Sequence, residues 1–460
     1  MVDKHHIGWS GTGLIVAIAF GFAAGVTTAN ADTLEEAMAK AYSTNPNILA
    51  EQAKLRATDE GVPQALSGWR PTVTGTANTG EQLQRSDSTL PMNSYRQPNT
   101  ESLQISQPLY RGGRTTSGTS QAENNVLSER AKMQGIEQAT LLAVVTAYMN
   151  VVQGESVLEL NRNNEERLQR QLDAANDRFN VGELTRTDVA QAQARVSGAT
   201  ADRIQAEGDL ASARAVYRTV VGEEPTKTAA PPIDPAGLPG SLDDTVASAL
   251  ARNPNVLAAD FTQRASRDNI SVVRGALLPT LSLNGTAQHE SDTLSTADRW
   301  RNTLTLLLQL NIPIYEAGAV YSQLRAAYEV DRQNQQLLDQ ARRDARESAT
   351  RSWDAWQTAK ARVASLQTQI NANESALDGV QQEALLGSRT VLDILDAEQE
   401  LLNSQVALVR STHDATIAAY QVRSSVGTLT AEAMSLPVAL YDPNQNYKKV
   451  RNKWIGVDKD

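Results

Sequence analysis

Proline is absent between Pro108 and Pro225, and again between Pro313 and Pro437. A proline inside a helix removes a hydrogen bond and clashes with the preceding turn. Two such runs, rich in Ala, Gln, Arg, Glu and Leu, therefore predict very long helices. In the second run small or apolar residues recur at Leu338, Ala341, Ala345, Ala349, Trp356, Val363, Leu366, Ile370, Leu377, Val380 and Ala384. These steps of mostly three, four or seven form a coiled-coil-like seam. The first run has the same spacing at Val145, Tyr148 and Val152, and at Leu168, Leu172, Ala175 and Phe179. A helix over 115–180 would be roughly 100 Å long at 1.5 Å per residue. Although 460 residues would suit two or three compact domains, no compact domain buries a helix of that length.

The two runs belong to a tandem duplication. Asn45-Pro46-Asn47 recurs as Asn253-Pro254-Asn255, and Pro71-Thr72 as Pro279-Thr280. Pro108, Tyr110 and Gly113 recur as Pro313, Tyr315 and Gly318, and Val181, Gly182 and Asp188 as Leu386, Gly387 and Asp393. The predicted division is a first repeat over 32–222, a proline-rich linker over 223–240, a second repeat over 241–430 and a tail over 431–460. Each repeat opens with a short helix holding the Asn-Pro-Asn block, continues through an alternating region and enters its long run. Each run is interrupted once, at Val181-Gly182 and at Leu386-Gly387. Glycine just past a helix end supplies a left-handed cap, and Thr185 or Thr187, and Thr390, offer oxygens to cap the next helix. The plan is a long helix, a tight turn and an antiparallel return helix.

The alternating regions read as strands. Leu281, Leu283, Gly285 and Ala287 fall on one face, opposite Ser282, Asn284, Thr286 and Gln288. Leu304, Leu306, Leu308, Leu310, Ile312 and Ile314 likewise share a face, with Thr303, Thr305, Gln309 and Asn311 mostly opposite. The first repeat is weaker, with Val73, Gly75 and Ala77, then Leu103, Ile105 and Leu109. Such strands, about ten residues long, span an outer membrane when tilted. Alternation alone equally fits hairpins on a soluble sheet. Export, the absence of cysteine and the lack of a covering helix favour the membrane. Four strands cannot close a barrel, and lipid does not tolerate an open edge, so several copies must pool their strands.

Export is read from the N-terminus. Lys4, an apolar core over 14–22 and the small-x-small site Ala29-Asn30-Ala31 form a signal peptide over 1–31, cleaved after Ala31. No cysteine follows the site, so lipidation there is not expected. The full absence of cysteine removes disulfides and thiolate chemistry. Only His289 and His413 lie beyond the segment that carries His5 and His6, which disfavours a histidine metal centre or triad. A net charge of −10 disfavours nucleic-acid binding. No stretch of 18 or more apolar residues follows the signal, so no internal membrane helix is expected. No enzyme, cofactor or metal site is expected. An exported periplasmic coiled-coil adaptor or structural protein is the alternative, though it would have no use for lipid-facing strands.

The duplicated Asn-Pro-Asn helix, the hairpins, the Pro108 and Pro313 blocks and the paired turn motifs resemble the TolC family of outer-membrane channels. The resemblance runs from Asp32 to about Thr430 and is most specific around Gly387 to Asp396. It implies an α+β fold: a homotrimer with a shared twelve-stranded transmembrane β-barrel, four strands per copy, continued by long coiled-coil-like helices as a periplasmic α-barrel. It implies docking to a periplasmic adaptor and an inner-membrane transporter, for multidrug efflux or type I secretion. Residue by residue, Arg389 matches the family's gate-linking arginine, and Thr187 and Asp188 match its partners. A guanidinium suits a carboxylate and a hydroxyl. Asp393 and Asp396 match its constricting acidic rings, and converging acids favour cations. Val181, Gly182, Leu386 and Gly387 match its adaptor-docking tips. Ala384 and Asp177 depart from the family's gate pattern, so the closed state here is expected to rest on fewer contacts. The tail, with Lys448, Lys449, Arg451 and Lys453 near Trp454, leaves two readings open: an extra helix around the middle of the tunnel, or a mobile tail.

Overall fold

The chain's architecture follows from a computed structural model that describes residues 33–457, apart from 86–93, 227, 234, 236 and 293–299. The signal peptide and its cleavage after Ala31 lie outside the described residues. The first half begins with α1 (Leu34–Thr44), α2 (Pro46–Asp59) and α3 (Gly61–Leu66). Strands β1 (Thr72–Thr79) and β4 (Asn99–Arg111) follow, extended at their far end by a small ladder of β2 (Gln82–Gln84) and β3 (Ser94–Arg96). Then come α4 (Arg114–Asn180) and α5 (Arg186–Val221). The second half repeats the plan with α6 (Leu242–Arg252), α7 (Pro254–Gly275), β5 (Thr280–Ser291), β6 (Trp300–Asn311), α8 (Ala319–Leu385) and α9 (Val391–Ser425). The fold is α+β and mostly helical.

Helices α4 and α8 are each 67 residues long, about 100 Å at 1.5 Å per residue. Each starts directly after a left-handed glycine, Gly113 (φ 76°) or Gly318 (φ 77°). Helix α4 packs on α5, α7 and α9, and α8 on α7 and α9. The main core sits midway along α4, where Leu141, Val144, Val145, Tyr148 and Met149 meet Leu34, Met38, Tyr217 and Leu429. By composition α4 is apolar enough to cross a membrane, but this apolar centre is buried against other helices instead. Tyr148 also holds the linker, donating from Oη to the Ala229 carbonyl (2.7 Å) and accepting from the Ala229 N–H (2.9 Å).

The Asn-Pro-Asn blocks lie at helix junctions, not inside one short helix. A residue before proline avoids the helical region, and Asn45 (ψ 123°) and Asn253 (ψ 125°) end one helix and cap the next. Each Oδ1 accepts from the backbone N–H two residues on (2.9 Å). Each Nδ2 reaches the end of the return helix, Asn45 to the Val220 carbonyl and Asn253 to the Ser425 carbonyl (3.0 Å each). One side chain thus satisfies orphan groups at two helix termini.

The four main strands form one antiparallel sheet in the order β1-β4-β5-β6, so the two halves join at β4–β5. The register sets Leu281 opposite Leu310, Leu283 opposite Leu308 and Ala287 opposite Leu304. These residues, with Leu103 and Ile105, share one face, on which Leu304 is 86% exposed. The other face carries a polar ladder: Thr76 bonds Ser102 (2.6 Å), Ser106 donates to Asn284 (2.7 Å) and Asn284 donates to Gln309 (2.9 Å). Two expectations need correction. Strand β6 ends at Asn311, which leaves Ile312 and Ile314 beyond it, because Pro313 has no N–H for the ladder. Leu109 falls in a bulge, where the register shifts between Pro108 and Tyr110.

Where the sheet meets the helices, the backbones of the two halves touch: a Cβ on Gly112 would collide with the Gly275 carbonyl oxygen. The tail forms α10 (Pro443–Val450), packed against α2. Residues 443–450 of the tail are therefore helical and packed.

Asn253→Ala is expected to cost about 2 kcal/mol, one part from the lost cap and one from the orphaned Ser425 carbonyl. Thermal unfolding of the full chain in detergent measures it. Asn255→Ala, whose backbone N–H still reaches the cap, serves as the control with little loss.

Candidate functional site at the helix tips

Each long helix stops at a glycine. Gly182 (φ 84°) and Gly387 (φ 78°) follow Val181 and Leu386. The Glu183 N–H closes on the Arg178 carbonyl (2.9 Å), and the Ser388 N–H on the Glu383 carbonyl (3.0 Å). These six-to-one bonds satisfy the last carbonyls of a helix. The return helices open with capping boxes. The Asp188 carboxylate accepts from the Thr185 N–H (2.9 Å) and Oγ1 (2.7 Å), while the Asp188 N–H donates to Thr185 Oγ1 (3.3 Å). Asp393 and Thr390 repeat this at 2.8, 2.8 and 3.3 Å. Of the candidate caps in the first tip, Thr185 makes the bond and Thr187 stays exposed in the first turn of α5.

An ion pair then bridges each turn. Arg389 Nε donates to Glu383 Oε2 (2.9 Å), and Arg178 Nε to Glu183 Oε2 (3.1 Å). The structure therefore places Arg389 against Glu383 of its own tip, while Thr187 and Asp188 belong to the other tip. Thr390's backbone N–H and hydroxyl, with Arg389 nearby, hold the Asp393 carboxyl below its ordinary value; Thr185's hydroxyl and N–H do the same for Asp188. Val181 and Leu386 project outward, with Leu386 85% exposed. Ala384 is half-buried.

Asp396, one turn along from Asp393, pairs with Arg195 of α5 at 2.6 Å. This bond joins the first half to the second. Arg195 carries no repeat signal, and its partner lies 201 residues away, so spacing does not reveal it. Glu398 is also unmarked in the sequence. It lies buried on α9, three residues after Leu395, which packs in a cluster with Leu168, Leu172, Ala175 and Val196. Burial pushes its carboxyl above the ordinary 4.5, against a smaller opposing pull from Arg167. Glu383 was legible as a charge six residues before Arg389, across the turn.

With this geometry in view, comparison with known proteins decides the family. Residues 37–223 and 245–428 match the outer membrane efflux protein family, one match in each half. The chain belongs to this family. It is 36% identical over 427 residues to the outer membrane efflux protein BepC of Brucella suis biovar 1 (strain 1330), which spans 93% of this chain and 92% of that protein. It is 27% identical over 422 residues to outer membrane protein TolC of Vibrio cholerae, covering 87% and 92%. The fold matches the crystal structure of the Campylobacter jejuni CmeC outer membrane channel with a TM-score of 0.78, at 15% identity, over 91% of this chain and 89% of that one. As a member of the family the chain is an outer-membrane channel protein of efflux or secretion, a duct and not an enzyme.

The raised Glu398 carboxyl makes a prediction with a definite sign. Its neutral form contributes stability that is fully present below the ordinary value of 4.5 and is lost as pH rises through the higher folded value. Glu398→Gln holds the neutral form at every pH. Its melting temperature is expected to equal wild type at pH 4 and exceed it at pH 8. A loss at pH 8 would show that attraction to Arg167 outweighs burial.

Proposed function

We propose that three copies of this chain form one duct, with their sheets closed into a twelve-stranded barrel through the outer membrane and their helices assembled as a tunnel into the periplasm. The observation that carries it is the four-stranded sheet with an apolar face exposed along β6 and an unpaired outer edge on β1 and on β6. Such edges are not stable in lipid. Pairing β6 of one copy with β1 of the next removes every edge. Two copies would give eight strands, whose interior side chains fill; three leave a lumen lined by the Ser, Thr, Asn and Gln ladder. An adaptor would not need that apolar face.

The tips supply the gate in this reading. Arg389 of one hairpin turns from Glu383 to Thr187 and Asp188 of a neighbour, and the linked tips hold the tunnel closed. Asp393 and Asp396 of three chains form acidic rings inside the constriction, and Arg195 tempers the charge of the Asp396 ring. The exposed Val181 and Leu386, at turns that Gly182 and Gly387 make tight, receive a periplasmic adaptor, which couples the duct to an inner-membrane transporter. The exposed, solvent-screened nature of the links lets docking overcome them. The transporter supplies the energy and selects the cargo, either drugs or secreted proteins.

Native mass spectrometry in detergent is expected to give three times the mass of the mature chain; a soluble periplasmic monomer would rule out the duct. In planar bilayers Arg389→Ala is expected to raise single-channel conductance several-fold. Asp396→Ala is expected to lower cation selectivity and Arg195→Ala to raise it. Conductance and selectivity that match wild type in all three would remove the gate and ring roles while leaving the barrel.

A further inference from the structure

Residues 441–457 climb the helical body toward the sheet, and two sets of contacts track the climb. Along the first helices, the Tyr441 N–H donates to Tyr42 Oη (3.2 Å), Asn446 Nδ2 donates to Asp59 Oδ2 (2.8 Å) and Arg70 Nη1 donates to the Lys453 carbonyl (2.7 Å). Along α4, Arg130 Nη1 donates to Asn444 Oδ1 (2.7 Å) and Arg451 Nη2 to Glu123 Oε1 (3.0 Å). The first series rises from α1 to the residue two before β1, and the second runs from Arg130, in the fifth turn of α4, back to Glu123 in the third. The second stops at Glu123, nine residues into α4, and the first reaches the junction of helices and sheet. There the Arg70 guanidinium covers the Trp454 ring at 5.0 Å from its centroid.

That junction is already marked by exposed aromatic side chains at the helical ends of the strands: Trp69 before β1, Tyr110 at the end of β4 and Tyr315 after β6. Tryptophan and tyrosine at such a level are the signature of a membrane–water interface. The tail adds Trp454, then Ile455 and Val457, each 90% exposed. It brings Lys448 and Lys449 on the preceding helix, both exposed. Apolar and aromatic groups next to lysines, held at the edge of the bilayer, match a segment that lies in the headgroup region and attracts anionic lipid.

We propose that residues 448–457 are an interfacial foot that rests in the periplasmic leaflet of the outer membrane. Trp454, Ile455 and Val457 enter the headgroup boundary, and Lys448 and Lys449 take anionic phospholipid headgroups. The foot rests on the sheet's spanning the membrane, and it braces the helical body against tilting beneath the barrel.

The cysteine-free chain allows a direct test in full-length protein. A fluorophore is placed singly at Val457→Cys, Leu306→Cys or Ser388→Cys, and the protein is reconstituted in phosphatidylethanolamine–phosphatidylglycerol vesicles. Lipids carrying a headgroup nitroxide are expected to quench the label at 457 by roughly twofold or more, and acyl-chain nitroxides the label at 306. The label at 388, at a helix tip, is expected to stay bright. Lys448→Glu with Lys449→Glu is expected to halve quenching at 457 in these vesicles and to leave it unchanged in phosphatidylcholine. Quenching at 306 with none at 457 overturns the foot and leaves the sheet's placement standing. No quenching at 306 overturns that placement itself. A label at 457 shielded from aqueous iodide equally in detergent and in vesicles shows a neighbouring copy over the tail, and overturns the foot as well.

Discussion

A backbone N–H or C=O facing hydrocarbon without a partner costs several kcal/mol, and the sheet of this chain ends in two rows of them. Much of the architecture follows from that cost. One half offers two main strands and the whole chain four, too few to curl into a closed barrel. The chain therefore pairs its halves through β4 and β5, then needs further copies to finish the ring. Duplication suits the task, because each added hairpin presents the same pair of edges as the last. The side-chain pattern obeys the same constraint. Leucines face outward on β5 and β6, and the hydroxyl and amide groups turned inward bond one another across all four strands.

Below the sheet the solvent is water, and the constraint reverses. Helices satisfy their own backbones, so they need only a seam, and a narrow seam is what α8 carries. A narrow seam cannot by itself fix how helices end or where they meet. Those decisions fall to a few polar residues that act at two places at once. Asn45 and Asn253 each cap one helix while gripping the last turn of another, in two halves with the same geometry. Gly112 and Gly275 let the two halves touch where the sheet begins. None of these positions buries much apolar area; each removes an orphan backbone group or a steric obstacle.

Local patterns in the sequence carry a large share of this. The proline-free runs predict α4 over 115–180 and the structure gives Arg114–Asn180, because proline and glycine act through the backbone of their own neighbourhood. The seam positions of α8 are all buried or half-buried, since periodicity is also a local property. Alternation continues to Ile314, three residues past the end of β6, which stops because the ladder needs an N–H that Pro313 lacks. Pairings between distant residues were beyond local reading. Arg195 meets Asp396 across 201 residues and Asn253 meets Ser425 across 172, and neither carries a spacing to betray it. The tail shows the same division: Asp442-Pro443 is a helix-start signal, while its partners Asp59, Glu123 and Arg70 lie more than 300 residues away.

The distribution of contacts along the long helices also supports the gate proposed at the tips. On α8 the seam is buried at Leu338, Ala345, Ala349, Trp356 and Ile370, but at Leu377, Val380 and Ala384 it is only half-buried. Apolar support thins toward the turn, and local stability falls with it. Each tip is closed by bonds internal to it: the glycine-closed turn, the capping box and the arginine–glutamate bridge. These bonds survive if a hairpin moves as one piece. Near the tips the described contacts between the first hairpin and the second are of another kind: the exposed pair Arg195–Asp396, the buried Glu398 drawn weakly by the charge of Arg167, and Leu395 against the first hairpin's cluster. The proposed gate needs a tip built firmly within itself and held lightly to its neighbour, so that it opens without unfolding. A uniform coiled coil would not provide that combination, which is why the proposed docking at the tips suits this fold.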